Sequence, residues 1–290
     1  MNIDSFSNLI ACPKCNGQIK LISKKNFRCS RCGLLIPVID GKLIFTPIPK
    51  KIIPFERRRR EPEIGTPWRR ANWAFLKEQI LNFPKEVKIL DVGAGHGDFA
   101  SLYKNRLHIA LDVYPYPEVD IVCDLLKVVP FKPSSFDMVL LMNVLEHVYN
   151  PVAYLKVIKQ ILKPGGVVIV AIPFMLKIHQ APFDFGRYTH FALEKVGQEL
   201  GFEVIQIDGF FDPSGLIHES SRYYRFWMRP KLSRAKRWFS AFILGIIDLL
   251  GKILGNLSNQ EKVISALKSN FPAPIGYQVV YKKPQNEGVD

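Results

Sequence analysis

The sequence predicts an α/β fold: a doubly wound, mostly parallel sheet with a small metal-stapled module ahead of it and a helical insertion before its last strand. Three observations predict it. An apolar run closes in Asp91 and passes into Gly93, Gly95 and Gly97 (ILDVGAGHGDFA, residues 89–100). Further short apolar runs follow, spaced widely enough for crossover connections. Four of the five cysteines form two C-x-x-C pairs near the start of the chain.

The elements follow in order. Cys12 and Cys15 pair at one knuckle and Cys29 and Cys32 at the next, thirteen residues on. Two such knuckles supply four thiolates for a tetrahedral zinc ion, and so short a module needs a staple. Zinc binding of roughly 10–16 kcal/mol would dominate its folding. The other reading is a pair of redox or disulfide couples. Cys123, alone at a strand end, reads as a core residue. Residues 46–67 hold five prolines and the run Arg57 to Arg60, and read as an extended basic linker that is solvated or meets phosphates. From Trp68 to Phe83 the spacing of Trp73, Leu76 and Ile80 predicts a helix leading into the first sheet strand.

Glycine permits positive φ and a close backbone approach to a ligand. The segment after Gly97 is helix-compatible, and the free N–H groups at a helix start favour a carboxylate or phosphate. The dinucleotide pattern G-x-G-x-x-G is not met, because the third glycine comes one residue early and Asp98 takes its place. A second strand, Leu107 to Leu111, closes in Asp112, about twenty residues beyond Asp91, where an acid can accept from ribose hydroxyls. Such an acid also serves as a cap or turn residue. A third strand, Val119 to Cys123, ends in Asp124-Leu125. A fourth, Phe136 to Met142, is followed by Asn143-Val144-Leu145-Glu146-His147. Leu162 to Gly166 then turns into a buried fifth strand, Val167 to Ile172. Thr189 to Leu200 reads as a helix ended by Gly201, Phe202 to Ile207 as a sixth strand, and Gly276 to Tyr281 as the last.

In this order and spacing, the residues D-V-G-A-G-H-G at 91–97, FD-M-V at 136–139, LEH at 145–147 and KPGG at 163–166 resemble class I S-adenosylmethionine-dependent methyltransferases of type 11. The resemblance implies a Rossmann-like seven-stranded sheet of order 3-2-1-4-5-7-6 with the last strand antiparallel. It implies S-adenosylmethionine as cofactor, bound by Asp91, Gly93, Ala94, Gly95, Gly97, Asp112, Val113, Asp124, Leu125 and Asn143. Residues 9–45 resemble a Trm112-like zinc ribbon, with a structural or partner-binding part and no catalytic one. The segment Asp184 to Thr189 is similar to a DF-x-RYT loop found in members that act on surface glycans.

For chemistry, methyl transfer needs alignment of donor and acceptor, exclusion of water and, for a hydroxyl or amine, removal of a proton. His147, following the fourth strand at the carboxyl edge of the sheet, is the candidate base; the alternative is a histidine packed near the cofactor. His179, Asp184, Arg187 and Tyr188 are candidate substrate contacts, though Arg187 also suits an ion pair with Asp184, and Thr189 a helix cap. The NVLEH segment is not a D/N-P-P-Y motif, which argues against amino-methylation of adenine or glutamine. No Pro-Cys follows the fourth strand, which argues against a covalent cysteine adduct on a pyrimidine.

At 290 residues with 48% hydrophobic content, the chain holds one ordinary core plus a module. The division expected is a ribbon at 1–46, a linker at 47–67, a methyltransferase domain at 68–209 and 272–285, and an insertion at 210–271. The formal charge of +14 favours polyanionic partners. In the insertion, Arg222, Arg225, Arg229, Lys231, Arg234, Lys236 and Arg237 interleave with aromatic residues ahead of an apolar helix, Trp238 to Leu254. That helix is too short and too charged to span a bilayer comfortably. Two readings stand: an interfacial helix on an anionic membrane, or a lid or homodimer contact. The opening residues show no signal-peptide pattern, so a cytoplasmic protein, peripheral at the inner membrane face, is expected. Three functions are weighed: methyl transfer to an oxygen or nitrogen of a glycan, lipid-linked or other amphiphilic small molecule; methylation of ribosomal or transfer RNA; and a scaffold without turnover.

Overall fold

The computed structural model describes residues 8–23, 25–49, 65–210, 217, 220–221, 224–225, 231–258 and 274–286. The arginine run 57–60, most of the linker and several basic and aromatic residues of the insertion, Arg222 and Arg229 among them, lie outside the described residues.

The ribbon contributes β1 (Ile19–Ser23), β2 (Asn26–Cys29), β3 (Leu35–Ile39) and β4 (Lys42–Ile44). After α1 (Pro67–Leu81) come β5 (Lys88–Val92), β6 (Leu107–Asp112), β7 (Ile121–Val122), β8 (Phe136–Met142), α2 (Pro151–Ile161) and β9 (Leu162–Pro173). The chain continues with α3 (His190–Glu199), β10 (Glu203–Phe210), α4 (Arg234–Ser258) and β11 (Gly276–Lys282). Caps set the helix starts. The Thr66, Asn150 and Thr189 side chains accept from the amides of Arg69, Ala153 and Ala192, and a proline opens α1 and α2.

Among the described residues the sheet has eleven strands, not seven, in the order β1-β2-β3-β4-β7-β6-β5-β8-β9-β11-β10. From β7 to β10 this is the expected 3-2-1-4-5-7-6 arrangement, with β11 antiparallel to both neighbours. The extra four are ribbon strands, because β4 pairs in parallel with β7, Leu43 opposite Ile121 and Ile44 opposite Val122. β7 is only two residues long, shorter than the expected Val119 to Cys123. Its carbonyls and those beside it find their donors in the ribbon: the Leu43 and Phe45 amides reach Asp120 and Val122, and the Lys42 ammonium reaches the carbonyls of Pro117 and Val119 at 3.0 Å each. On the other side Ile10 bridges to Phe131.

Two further expectations change. The glycine turn is followed by no α-helix but by turns and one 3₁₀ turn, Ala100–Leu102. Only residues 93–106 separate β5 from β6, and three glycines at positive φ occupy the first of them, so no length remains for a full helix. β9 begins at Leu162 and absorbs the Lys163–Gly166 turn, with a register slip against β8 between Phe136 and Met138.

Side chains alternate across the sheet as a strand requires. Leu90, Ile109, Val139, Leu141 and Val170 face Tyr154, Leu155 and Ile158 of α2 and Leu193 of α3. Ile89, Met138, Leu140 and Ile169 face Trp73, Phe75 and Leu76 of α1, together with Phe99 and Tyr103. The glycine loop, Asp112, Asp124 and Asn143 all follow the carboxyl ends of parallel strands, so the topology gathers them at one edge.

Candidate functional site

β5 ends at Val92 and the chain turns through Gly93, Gly95 and Gly97 at φ +71°, +53° and +66°. The turn is tied to the next strand: the amides of Gly93 and Ala94 donate to the Leu111 carbonyl at 2.8 and 3.1 Å. A Cβ on Gly93 would meet Val144 Cγ2 at 2.6 Å, whereas one on Gly95 would meet nothing nearer than 4.0 Å. Gly93 is therefore fixed by packing, and Gly95 by its backbone angle beside open space that a ligand can fill.

Asp112 is buried, and its carboxylate accepts from the Gly95 amide at 3.0 Å and the Tyr114 amide at 2.9 Å. Burial raises its pKa against the pull of those N–H groups. Each carboxylate oxygen still has acceptor capacity to spare. Asp91 is 5% exposed, takes the Tyr103 hydroxyl, and is pushed up to about 7 by burial. Asp124 accepts from the Leu126 amide and pairs with Lys127 at 3.1 Å. Val113 is 37% exposed; Leu125 is packed in the core, and its neighbour Leu126 is the exposed one. Asn143 leaves β8 at φ +60°, and its Oδ1 accepts from Trp68 Nε1 at 2.8 Å. Arg69 pairs with Asp98 at 2.8 Å. Trp68 and Arg69 thus place the first turn of α1 against the glycine loop and the end of β8.

The second group lies just beyond Val144. Glu146 is fully buried with neither carboxyl oxygen hydrogen-bonded among the described residues, and burial pushes it up to about 8. His147 Nδ1 lies 2.6 Å from the Phe183 carbonyl, and its ring meets that of His179 edge-on at 4.8 Å. Burial lowers the pKa of both histidines. Asp184 accepts from the His179 amide at 2.8 Å and from Arg187 in a two-bond fork at 2.5 and 2.9 Å. Burial alone would raise Asp184; the fork and the amide hold it below the usual carboxylate range. Arg187 also reaches the Gly186, Leu176 and Lys177 carbonyls. It braces the loop, while His147, His179 and Asp184 converge. Tyr188 is half-buried against the core, and Thr189 caps α3.

In the ribbon, the sulfurs of Cys12 and Cys32 lie 3.5 Å apart, as do those of Cys15 and Cys29, and all four fall within 4.8 Å of one another with no disulfide. Thiolates on one zinc at about 2.3 Å each would stand at a similar spacing. The Cys32 and Arg31 amides point at the Cys29 sulfur and lower that thiol to about 6. A Cβ on Gly17 would strike the Cys29 sulfur at 2.9 Å, so only glycine fits there. The four thiols can hold a zinc ion.

Sequence reasoning passed over Trp68, Arg69, Tyr103, Gly17 and Glu146 as site residues. Only Glu146 carried a signal, an acid beside the candidate base inside an otherwise apolar stretch. A groove of about 320 Å³, lined by Pro13, Asn16, Val128 and Phe131 among others, lies where the ribbon meets the sheet domain and not at the glycine loop.

A family model described as a methyltransferase domain matches residues 68–207. An uncharacterised protein of Methanocaldococcus jannaschii is 39% identical over 148 residues, 48% of this chain and 60% of that protein. A protein of Mycolicibacterium smegmatis, named a probable S-adenosylmethionine-dependent methyltransferase, is 28% identical over 152 residues, 47% of this chain and 59% of its own. A ubiquinone biosynthesis O-methyltransferase of Xanthomonas campestris is 26% identical over 198 residues, 68% of this chain and 70% of that one. The solved S-adenosylmethionine-dependent methyltransferase of Archaeoglobus fulgidus superposes with a TM-score of 0.46 at 17% identity, over 74% of this chain and 94% of that chain. The chain spans about three-fifths of the length of the first two relatives.

Proposed function

We propose that this chain is an S-adenosylmethionine-dependent methyltransferase, its methyltransferase domain including the matched residues 68–207, and that it moves a methyl group to an oxygen or nitrogen of a glycan, lipid-linked or other amphiphilic small molecule. The observation that carries the reading is the glycine loop at the carboxyl edge of β5, with open space over Gly95 and the buried Asp112 beside it. When bound, S-adenosylmethionine supplies the methyl group on a sulfonium. Asp91 and the backbone of Gly93, Ala94, Gly95 and Gly97 would line its amino-acid end. Asp112 and Val113 would meet the ribose, Asp124 the base, with the exposed Leu126 in the place expected of the core-packed Leu125, and Asn143 the methionine side. His147 would take the proton of the acceptor, and His179, Asp184, Arg187 and Tyr188 would orient it.

The amphiphilic character of the acceptor rests on α4. That helix runs 25 residues and exposes Trp238, Phe239, Phe242, Leu249 and Leu250, with Lys231, Arg234 and Lys236 exposed at its start. Its described contacts are within the insertion: Asp248 pairs with Arg225 at 2.5 Å, and Gly251 packs on Ile217. No helix among the described residues is long and apolar enough to cross a membrane. We place this face on an anionic cytoplasmic membrane surface, with a second copy of the chain as the other occupant. The four-cysteine module is read as a structural, Trm112-like zinc ribbon at 1–46, joined by the linker at 47–67 to the domain at 68–209 and 272–285.

The charge of +14 favours RNA as a second acceptor. One experiment separates the two: incubate the protein with methyl-labelled S-adenosylmethionine and source-cell lysate, then fractionate. Label in lipid or glycan, lost on neutralising the basic residues between 222 and 237, supports the reading; label in RNA overturns it.

A further inference from the structure

Glu146, His147 and His179 form a cluster that methyl transfer by a free histidine base does not explain. Their ligand atoms all lie within 4.8 Å of one another. The Glu146 Oε1 stands 3.8 Å from His147 Nε2 and 3.9 Å from His179 Nε2. These separations are too long for hydrogen bonds, and neither Glu146 oxygen nor His147 Nε2 has a hydrogen-bond partner among the described residues. A buried carboxylate with nothing to accept from is costly and needs a reason.

The outward nitrogens of both rings tell which atoms are free. His147 Nδ1 faces the Phe183 carbonyl at 2.6 Å, and His179 Nδ1 faces the Asp184 carboxylate and the Lys177 carbonyl at 3.3 Å each. Those oxygens only accept, so each Nδ1 carries the proton, and each Nε2 turns a lone pair toward Glu146. Two lone pairs aimed at one acid repel unless a proton or a metal ion lies between them, and Glu146 Oε1 stands too far from either ring, at 3.8 and 3.9 Å, to donate a proton across. Rings held through Nδ1 by a carbonyl or carboxylate are the usual outer support of metal-bound histidine. Arg187 in turn fixes Asp184 with its fork.

From this convergence we infer that Glu146, His147 and His179 bind one first-row divalent cation. Two imidazoles and a carboxylate suit zinc, manganese, iron or cobalt, and leave coordination positions open. Ligands about 2.0–2.2 Å from such an ion would close the present gaps by small side-chain rotations. His179 is the partly exposed member, with its side chain 31% exposed, so the open positions face solvent on the acceptor side. Val144, against Gly93, places the cluster beside the glycine loop. The inference deepens the methyltransferase reading and rests on it for one point only: the open positions would receive an acceptor bearing an oxygen donor, such as a hydroxyl, and the ion, in place of His147 as base, would ease loss of the acceptor proton to solvent.

The test is Mn²⁺ binding to the full chain with its ribbon zinc-loaded, followed by the electron paramagnetic resonance of free Mn²⁺, with no cofactor or acceptor present. One equivalent should bind. Glu146→Gln and His179→Asn should each weaken it at least tenfold, and Asp184→Asn by roughly 10–100-fold through loss of ring support. Melting curves for each variant show that the fold persists. No Mn²⁺ bound by the wild type, or equal binding by the folded Glu146→Gln and His179→Asn variants, would overturn the site. S-adenosylmethionine affinity, measured on the same wild-type sample, tests the methyltransferase reading separately.

Discussion

Trp68 Nε1 donates to Asn143 Oδ1 at 2.8 Å, joining the first turn of α1 to the residue that leaves β8 in a left-handed conformation. With the Arg69–Asp98 pair, the bond helps seat α1 beside the glycine loop. Trp68→Phe removes the donor and shrinks a buried ring, so it should cost about 2–3 kcal/mol in urea denaturation. Asn143→Ala should cost about 2 kcal/mol, because it loses the acceptor and puts a residue ill suited to positive φ at that point. Asn143→Gly should cost less than Asn143→Ala, because glycine tolerates the positive φ, and a double-mutant cycle should show coupling.

The two glycines with different surroundings should separate stability from binding. Gly93→Ala drives a Cβ into Val144 and holds a strained φ, and should destabilise by roughly 2–3 kcal/mol, with partial recovery in the Val144→Ala background. Gly95→Ala meets no protein atom closer than 4.0 Å. It should cost about 1 kcal/mol in folding while weakening S-adenosylmethionine by an order of magnitude in calorimetric titration, because the methyl group takes ligand space.

Asp91 makes stability depend on pH with a definite sign. Its folded pKa, about 7, is above its ordinary 3.8, so the core accepts the neutral form. Below about pH 4 both states hold the proton and its contribution is full. From there to about pH 7 the unfolded chain releases the proton first, and stability falls by at most about 1.4 kcal/mol per unit. Asp91→Asn retains an oxygen for the Tyr103 hydroxyl and should flatten that fall. Urea midpoints of both proteins at pH 5 and pH 8 provide the measurement.

Removing metal from the four thiols, or Cys29→Ser, should loosen the ribbon and the strand it donates to the sheet. The readout is hydrogen exchange at the Leu43 and Phe45 amides, which bond to the Asp120 and Val122 carbonyls. Their protection should drop, while amides of β8 and β9, paired at the centre of the sheet, should keep theirs.

Strands β6, β7 and β8 were legible because each is a short, mostly apolar run closed by a polar residue at the ligand edge, as Phe136 to Met142 closes in Asn143. The thiol cluster was legible from spacing alone. Less visible was anything made by distant pairing. Nothing local to Lys42 shows that its ammonium is buried on two carbonyls some 75 residues away, and β4 joins β7 only because that bond and the Leu43 amide align them. The expectation of a helix after Gly97 read propensity correctly but ignored the short span to β6. Glu146 was passed over as part of a familiar LEH triplet; its isolation appears only when the loop carrying His179 folds back over it.

The pairing of β4 with β7 has a further consequence for the behaviour of the chain in solution. A parallel strand stripped of its neighbour presents a row of free N–H and C=O groups to any other strand nearby. The four free thiols control that neighbour, so oxidation or chelation at Cys12, Cys15, Cys29 and Cys32 would reach a sheet they do not belong to. The first sign of thiol damage in this protein should be self-association, ahead of any loss of the central sheet.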